Sequence, residues 1–123
     1  YGSPSVKGRA IWGALVPYDK VWRAGANDAT TFETDKTITI EGKQLPAGKY
    51  SFFVIPNENE SIIIFNKEAK QWGSYDYKAS SDQLRVTVKN ENGDALVEKL
   101  EYKIMETRIE LLWEKLIIGF EVK

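Results

Sequence analysis

The sequence predicts an all-β fold: an antiparallel two-sheet β-sandwich of about eight strands, preceded by an irregular, partly helical N-terminal segment. Apolar and polar residues follow a period of two in much of the chain from Thr30 onward, and turn-forming residues interrupt this pattern at short intervals. Before it, Arg, Trp, Gly and Pro are mixed at a density that regular structure seldom tolerates. A closed small barrel is the alternative architecture. We interpret residues 1–123 as a single domain.

Composition limits the chemistry of this chain. Its net charge is -1, from 17 basic and 18 acidic side chains, so we do not expect nucleic acid as a partner. No apolar run is long enough for membrane insertion of this domain. The chain contains no His and no Cys, which excludes Ser-His-Asp and Cys-His nucleophile systems and the usual zinc, copper and haem sites. We therefore expect no metal and no cofactor; carboxylate, Lys, Tyr and Ser groups remain for catalysis.

The N-terminal segment contains the one stretch with helical spacing. Ile11 and Leu15 are four residues apart, as are Trp12 and Val16, and Pro17 would end a helix there. This spacing predicts one or two helical turns.

Eight strands are expected from the period-two pattern. Strict alternation is clearest in residues 84–89, whereas residues 49–55 are apolar on both faces, which is typical of a central strand covered on each side. The other predicted strands lie at residues 30–34, 37–41, 61–65, 100–104, 109–113 and 116–122.

Turn signals separate several of these strands. Glu41-Gly42 predicts a tight turn because Gly readily adopts a positive φ. Asn92-Gly93 is a hairpin signal, and Glu114-Lys115 is expected to turn the chain before the last strand.

With these residues identified, the chain resembles a bacterial family known only as domain of unknown function 2911. The resemblance covers essentially the whole chain, and its N-terminal motif is specific. The residues that carry it are Tyr1, residues 3–9, 15–18, 21–23, 25–27, 29–30, 45–48 and 71–73, and residues 113–116. The chain departs from the family pattern at Asp19, Ala24 and Asp28, where the family favours Gly, Thr and Glu.

The resemblance implies an exported bacterial protein, and therefore a periplasmic or extracellular location. It also implies a signal sequence and a strand ahead of Tyr1. The family has no established activity, so the resemblance assigns no mechanism.

Arg9, Arg23 and Asn27 are the strongest polar candidates for a binding site. Two guanidiniums beside Gly-rich backbone could hold a carboxylate, a phosphate or sugar hydroxyls in bidentate fashion. The alternative is structural: the arginines pair with Asp28, Glu33 or loop carbonyls and fasten the segment to the sheet.

Aromatic residues supply the apolar part of the same hypothesis. Trp22 and Tyr75 would form the wall of a site between the N-terminal segment and the loop at residues 72–77, opposite the polar candidates. The alternative for Trp12 and Trp22 is that they fill one end of the core. Trp113, in an alternating strand, is expected in the core.

Three functions remain open at this point. The first is a non-catalytic ligand-binding or protein-interaction domain that recognises a small molecule, a glycan or a peptide. The second is a hydrolase or isomerase that uses a carboxylate with Arg or Tyr; Asp28 or Glu33 would then lie in a deep pocket. The third is a purely structural module in which each arginine is paired internally. The sequence leaves the oligomeric state open.

Overall fold

The computed structural model describes residues 2–25, 30–68 and 82–123. The predicted all-β class is confirmed in these residues, although seven strands form where about eight were expected. They are β1 (Thr30–Thr34), β2 (Ile38–Ile40), β3 (Lys43–Leu45), β4 (Gly48–Pro56), β5 (Glu60–Asn66), β6 (Asp82–Ile104) and β7 (Arg108–Glu121).

Five of the strands form one antiparallel sheet in the order β1–β4–β5–β6–β7. The remaining two form the β2–β3 hairpin. Thr39 of this hairpin exchanges backbone hydrogen bonds of 2.8 and 2.9 Å with Lys123, so the hairpin is attached beside the end of β7. β1 lies at the opposite edge of the large sheet.

The long strand β6 curls the sheet. Its first part pairs with β5 from Leu84 to Lys89, and its second part pairs with β7 from Asn90 onward. Between Asn92 and Val97 the register advances five residues on β6 but only two on β7. Extra residues of this kind bend a strand and increase its twist.

The predicted turns at Asn92-Gly93 and Glu114-Lys115 are wrong, because both pairs lie inside continuous strands. Asn92 pairs with Leu116, and Glu114 adopts a φ of 57° opposite Val97, where the register shifts. Long-range pairing between β6 and β7 therefore outweighs these local turn signals. The turn at Glu41-Gly42 is confirmed, with φ values of 48° and 82° as a type I′ hairpin requires.

The predicted helical turns near residues 11–16 are also wrong. Gly13 has a φ of 82°, which is incompatible with a right-handed helix, and Val16 N donates to Ile11 O at 2.9 Å in an irregular turn. A Cβ at Gly13 would lie only 2.9 Å from the Tyr18 ring. Ile11 and Val16 are nevertheless buried, whereas Leu15 is 46% exposed, so the apparent helical spacing does not correspond to one buried face.

The core lies mainly on the inner face of the curled sheet, and β4 contributes to both faces, as predicted. Tyr50, Phe52 and Val54 belong to the large core cluster. Phe53 packs with Ile64 in a second cluster, and both are fully buried. The centre of the sheet is therefore rigidly enclosed in apolar side chains, and the N-terminal segment is built onto this support.

Candidate functional site

The N-terminal segment is held to the sheet at two places. Ser5 pairs with Lys99, and the backbone N–H of Val6 donates to Glu98 O at 2.8 Å, so the segment runs beside β6. Farther along, Trp22 exchanges backbone hydrogen bonds of 2.8 and 2.9 Å with Val54 of β4. Residues near Trp22 thus extend the ladder of the central strand.

Three tryptophans form a compact cluster where the segment meets the core. The rings of Trp22 and Trp113 stack with a 6.0 Å centroid distance and a 14° interplanar angle. Trp12 meets both rings edge-on at 5.4 and 6.1 Å. Trp113 is 1% exposed, as expected for a core residue, and its Nε1 donates to Glu98 O at 3.2 Å. The packing of Trp22 thus matches the core interpretation, and its role as a ligand wall stays a prediction.

Arg9 bonds to its own segment. Its Nε donates to Val6 O at 3.0 Å, and its Nη2 donates to Ser5 O. These bonds satisfy carbonyls of the irregular backbone, which is the structural role considered for the arginines. A ligand contact by Arg9 stays a prediction, with the guanidinium exposed but already engaged.

Arg23 differs from the other arginines that the structure describes. Arg9 bonds to carbonyls, Arg85 pairs with Asp82 at 2.7 Å, and Arg108 pairs with Glu110 at 2.9 Å and also with Glu91. The Nε of Arg23, by contrast, is buried without a hydrogen-bond partner. Buried polar groups are nearly always satisfied in folded proteins, so this donor requires a physical explanation.

The backbone around Arg23 fixes its direction. Trp22 packs in the inner core, whereas the preceding Val21 packs on the outer cluster with Phe53. Because successive side chains of an extended segment point to opposite faces, Arg23 is placed on the outer side with Val21 and away from the Trp22 ring. Arg23 and Trp22 are therefore adjacent in sequence but do not share a face of the sheet.

The chain immediately after Arg23 is locked in place. Ala24 is fully buried with a φ of 56°, and its carbonyl oxygen accepts hydrogen bonds from Thr30 Oγ1 at 3.2 Å and Tyr102 Oη at 2.6 Å. A Cβ at Gly25 would lie 2.9 Å from the carbonyl oxygen of Gly2. Such close packing holds the backbone that carries Arg23 in one conformation.

Two predicted site residues, Asn27 and Tyr75, lie outside the described residues, as does the whole loop at residues 72–77. Asp28, proposed as a structural partner for the arginines, lies outside them as well. Their contribution stays a prediction. Glu33, the other acidic candidate, is exposed on β1.

Among the described residues, Tyr50 and Arg108 have a shifted pKa, and both are held in structural contacts. Burial raises the pKa of Tyr50, whose hydroxyl donates to Pro46 O at 2.6 Å. The hydrogen bond to Glu110, supported by Glu91, raises the pKa of Arg108 against the opposing effect of burial. Within the described ranges, acidic side chains form no group of three suited to hold a metal ion.

A separate apolar cavity of about 120 Å³ lies between β1 and the adjoining ends of β6 and β7. Phe32, Phe52, Tyr102 and Phe120 supply four aromatic rings to its lining. Their positions range from residue 32 to residue 120, so no local pattern in the sequence indicates that they meet.

The described residues form an all-β antiparallel fold with an irregular N-terminal segment, and the Nε of Arg23 in this segment is buried without a hydrogen-bond partner. The family described as "Protein of unknown function (DUF2911)" matches residues 1–122, and the chain belongs to this family, as its N-terminal motif indicated. No curated protein and no solved structure matches the chain. In the part of the chain that the structure describes, no helix is long and apolar enough to cross a membrane.

Proposed function

We propose that this domain is a non-catalytic binding module in which the Arg23 guanidinium holds an oxyanion of the ligand. The observation that carries the proposal is the buried Nε of Arg23, which has no hydrogen-bond partner in the described residues. An unsatisfied buried donor destabilises a protein by roughly 1–3 kcal/mol. A carboxylate or phosphate oxygen would remove this penalty through a charge-assisted hydrogen bond.

Guanidinium geometry narrows the ligand class. Nε and one Nη present parallel N–H groups that match two oxygens of a carboxylate or phosphate. Small organic acids, phosphorylated metabolites, acidic glycans and peptide carboxylates meet this requirement. The roles predicted for Arg9, Asn27 and Tyr75 as further contacts are kept as parts of the hypothesis, with Arg23 as its anchor. Trp22 packs with the inner core and is not proposed to contact the ligand held by Arg23.

A rigid scaffold supports binding at this position. We further propose that the curled sheet acts as the two layers of a β-sandwich, since β6 pairs with β5 through its first part and with β7 through its second. The ladder between Trp22 and Val54 fixes the backbone of the anchor to the central strand β4. Pre-organisation of this kind reduces the entropy lost when a ligand binds.

The alternative functions have less support in the described residues. A purely structural module would pair each arginine internally, and the Nε of Arg23 has no such partner there. A carboxylate-based enzyme would place an acidic side chain in a deep pocket, whereas Glu33 is exposed on the edge strand β1. The binding hypothesis accounts for the unsatisfied donor within the described residues, whereas the structural alternative would need a partner such as Asp28, which lies outside them.

The proposed location is the periplasm or the extracellular space, and it rests on the family resemblance. It would be tested by expressing the full-length gene product in its native host and fractionating the cells. Recovery of the protein in the cytoplasmic fraction alone would contradict export.

A thermal-shift and calorimetric screen tests the binding function. The panel holds inorganic phosphate, citrate, phosphorylated sugars, uronic acid oligosaccharides and peptides with free carboxyl termini, each beside an uncharged analogue. A ligand present at 100 times its Kd stabilises the folded state by about 2.7 kcal/mol through mass action. We expect an oxyanion compound to stabilise the wild type while its uncharged analogue does not.

Variants locate the interaction. Arg23→Ala should fold and lose the ligand-induced shift, and Arg23→Lys should retain a weaker one, because Lys keeps the charge but not the planar pair of donors. Arg85→Ala is the matched control, since it removes a guanidinium that is already paired with Asp82. If a folded Arg23→Ala protein responded to the ligand as the wild type does, Arg23 would not be the anchor. If none of the oxyanion compounds in the panel bound the wild type, this result would also count against the proposal.

A further inference from the structure

The apolar cavity beside β1 arises where the curled sheet fails to close. β1 pairs with β4 on one side, and in the described residues no backbone hydrogen bond joins its other side to β6 or β7. Ile104 ends β6 and pairs with Ile109 of β7 across the connecting turn, and both side chains line the cavity. The edge strand and the end of the β6–β7 hairpin thus face one another across a space of about 120 Å³.

The floor of the cavity is fixed by the core. Phe52 is 3% exposed and Phe120 is 1% exposed, and their ring centroids lie 5.8 Å apart at an interplanar angle of 31°. Tyr102 meets Phe52 edge-on at 6.3 Å. These rings belong to the large core cluster or pack directly against it, so the floor persists without a ligand.

Among the described residues, the lining carries no charged side chain, and its buried hydroxyl protons are already used. Both Thr30 Oγ1 and Tyr102 Oη donate to the carbonyl oxygen of Ala24. The hydroxyl of Thr31 belongs to an exposed side chain at the rim. A charged group placed at the floor would lose its hydration without gaining a partner, which is strongly unfavourable. The lining therefore selects an uncharged ligand.

Ile104 marks the open side of the cavity. This side chain is 80% exposed, although it borders an apolar floor and continues the cavity wall. A ring seated on the floor would cover part of Ile104 and remove it from water. The rim thus provides additional apolar area that becomes buried when the cavity is occupied.

We propose that this cavity binds the single uncharged aromatic ring of a small molecule. The volume of about 120 Å³ is close to the roughly 150 Å³ of an apolar protein cavity that binds benzene, and the open rim leaves room for substituents of the ring. Edge-to-face and offset contacts with the surrounding rings favour an aromatic over an aliphatic group of equal size. This site is independent of the oxyanion site at Arg23.

The test is a titration with 4-methylphenol, observed through the methyl resonances of Ile104 and Ile109 by NMR and through calorimetry. Benzoate serves as the charged probe of similar ring size. We expect saturable binding of 4-methylphenol that moves both isoleucine resonances, and no such movement with benzoate. Shifts that grow linearly without saturation, or equal movement of the two isoleucine resonances with both probes, would overturn the proposal.

Two variants connect the signal to the cavity. Ile109→Phe fills the cavity and should abolish saturable binding. Leu96→Phe is the control, because Leu96 is an exposed apolar residue that does not line the cavity. This control variant should bind 4-methylphenol as the wild type does. If Ile109→Phe does not fold, Ile104→Ala decides the question. Loss of the apolar rim should weaken binding by about tenfold, and unchanged affinity would overturn the proposal.

Two further experiments distinguish binding in this cavity from binding at the oxyanion site and from docking of a partner strand at the β1 edge. Arg23→Ala should bind 4-methylphenol with wild-type affinity, so the two sites can fail independently. A short extended peptide with a central Phe examines whether the ring belongs instead to a partner strand at the β1 edge. Saturable binding of this peptide without binding of 4-methylphenol would overturn the small-molecule proposal.

Discussion

The phenolic hydroxyl of Tyr102 donates a 2.6 Å hydrogen bond to the carbonyl oxygen of Ala24, 78 residues earlier in the chain. Thr30 donates to the same oxygen at 3.2 Å. This single buried carbonyl therefore joins the N-terminal segment, β1 and β6, and it lies one residue after the proposed ligand anchor Arg23. The bond links the position of the anchor to the long-range fold.

Removal of both donors to Ala24 should destabilise the protein more than the two single changes together. Tyr102→Phe and Thr30→Val each remove one hydrogen bond and should each lower the free energy of unfolding by about 1 kcal/mol. In the double variant, the buried carbonyl of Ala24 loses both donors. Urea denaturation of the four proteins in a double-mutant cycle measures the coupling. Strictly additive losses would show that the two bonds act independently.

Gly119 is required because the Arg108 guanidinium lies across it. A Cβ at Gly119 would be 2.6 Å from Arg108 Cζ and 2.9 Å from its Nε. Gly119→Ala should displace the guanidinium from Glu91 and Glu110 and lower the free energy of unfolding by up to about 1 kcal/mol, because both ion pairs are partly exposed. Gly93→Ala is the matched control in β6, because the nearest atom there, on Ile117, is 3.4 Å away. Equal stability of the two variants in urea denaturation would contradict this packing.

Tyr50 should make the protein less stable at alkaline pH. Burial raises the pKa of its phenol above the ordinary value of 10.0, so the folded state keeps a proton that the unfolded chain releases. The stabilisation is fully present below pH 10 and is lost as the pH rises through the folded-state pKa. Tyr50→Phe should therefore flatten the fall in unfolding free energy measured between about pH 9 and 11.

The exposed Tyr18 provides the comparison for this measurement. Tyr18→Phe also removes one phenol but leaves the hydrogen bond from Tyr50 to Pro46 intact. If Tyr50→Phe and Tyr18→Phe had the same alkaline slope, the buried phenol would not be responsible for the pH dependence.

Replacement of Arg23 should not destabilise the ligand-free protein. Arg23→Met keeps an unbranched side chain and removes a buried donor that has no partner in the described residues, so the free energy of unfolding should stay equal or rise by about 1 kcal/mol. Arg9→Met removes the bonds to Val6 and Ser5 and should lower it by a similar amount. Chemical denaturation in a buffer without carboxylate or phosphate measures both. A large loss of stability in Arg23→Met would identify a structural fastener.

The sequence correctly predicted those parts of the fold that depend on residues close to one another in the chain. The turn at Glu41-Gly42 forms because these two residues themselves adopt the positive φ values that the turn requires. β4 is covered on both faces, and the apolar residues at successive positions of its sequence predicted this. At Asn92-Gly93 an equally good turn signal failed, since pairing with β7 extends the strand through it.

The candidate site was only partly predictable for the same reason. Arg23 was identified from its sequence context. Its separation from the Trp22 ring depends on the β-bridge between Trp22 and Val54, which no pattern in the sequence predicts. The cavity beside β1 requires Phe32 and Phe120 to line one space, and only the curling of the sheet places them there. Long-range topology, rather than local propensity, decides these features.

The most direct test of the central claim is an NMR titration that observes the arginine Nε–H groups individually. An oxyanion ligand from the screen is added to the wild type, with Arg85 as the internal reference because its Nε already donates to Asp82. We predict that the Arg23 Nε–H resonance shifts downfield and saturates with the calorimetric Kd, while the Arg85 resonance stays in place. Saturation of binding with no change at Arg23 Nε–H would contradict the assignment of this arginine as the ligand anchor.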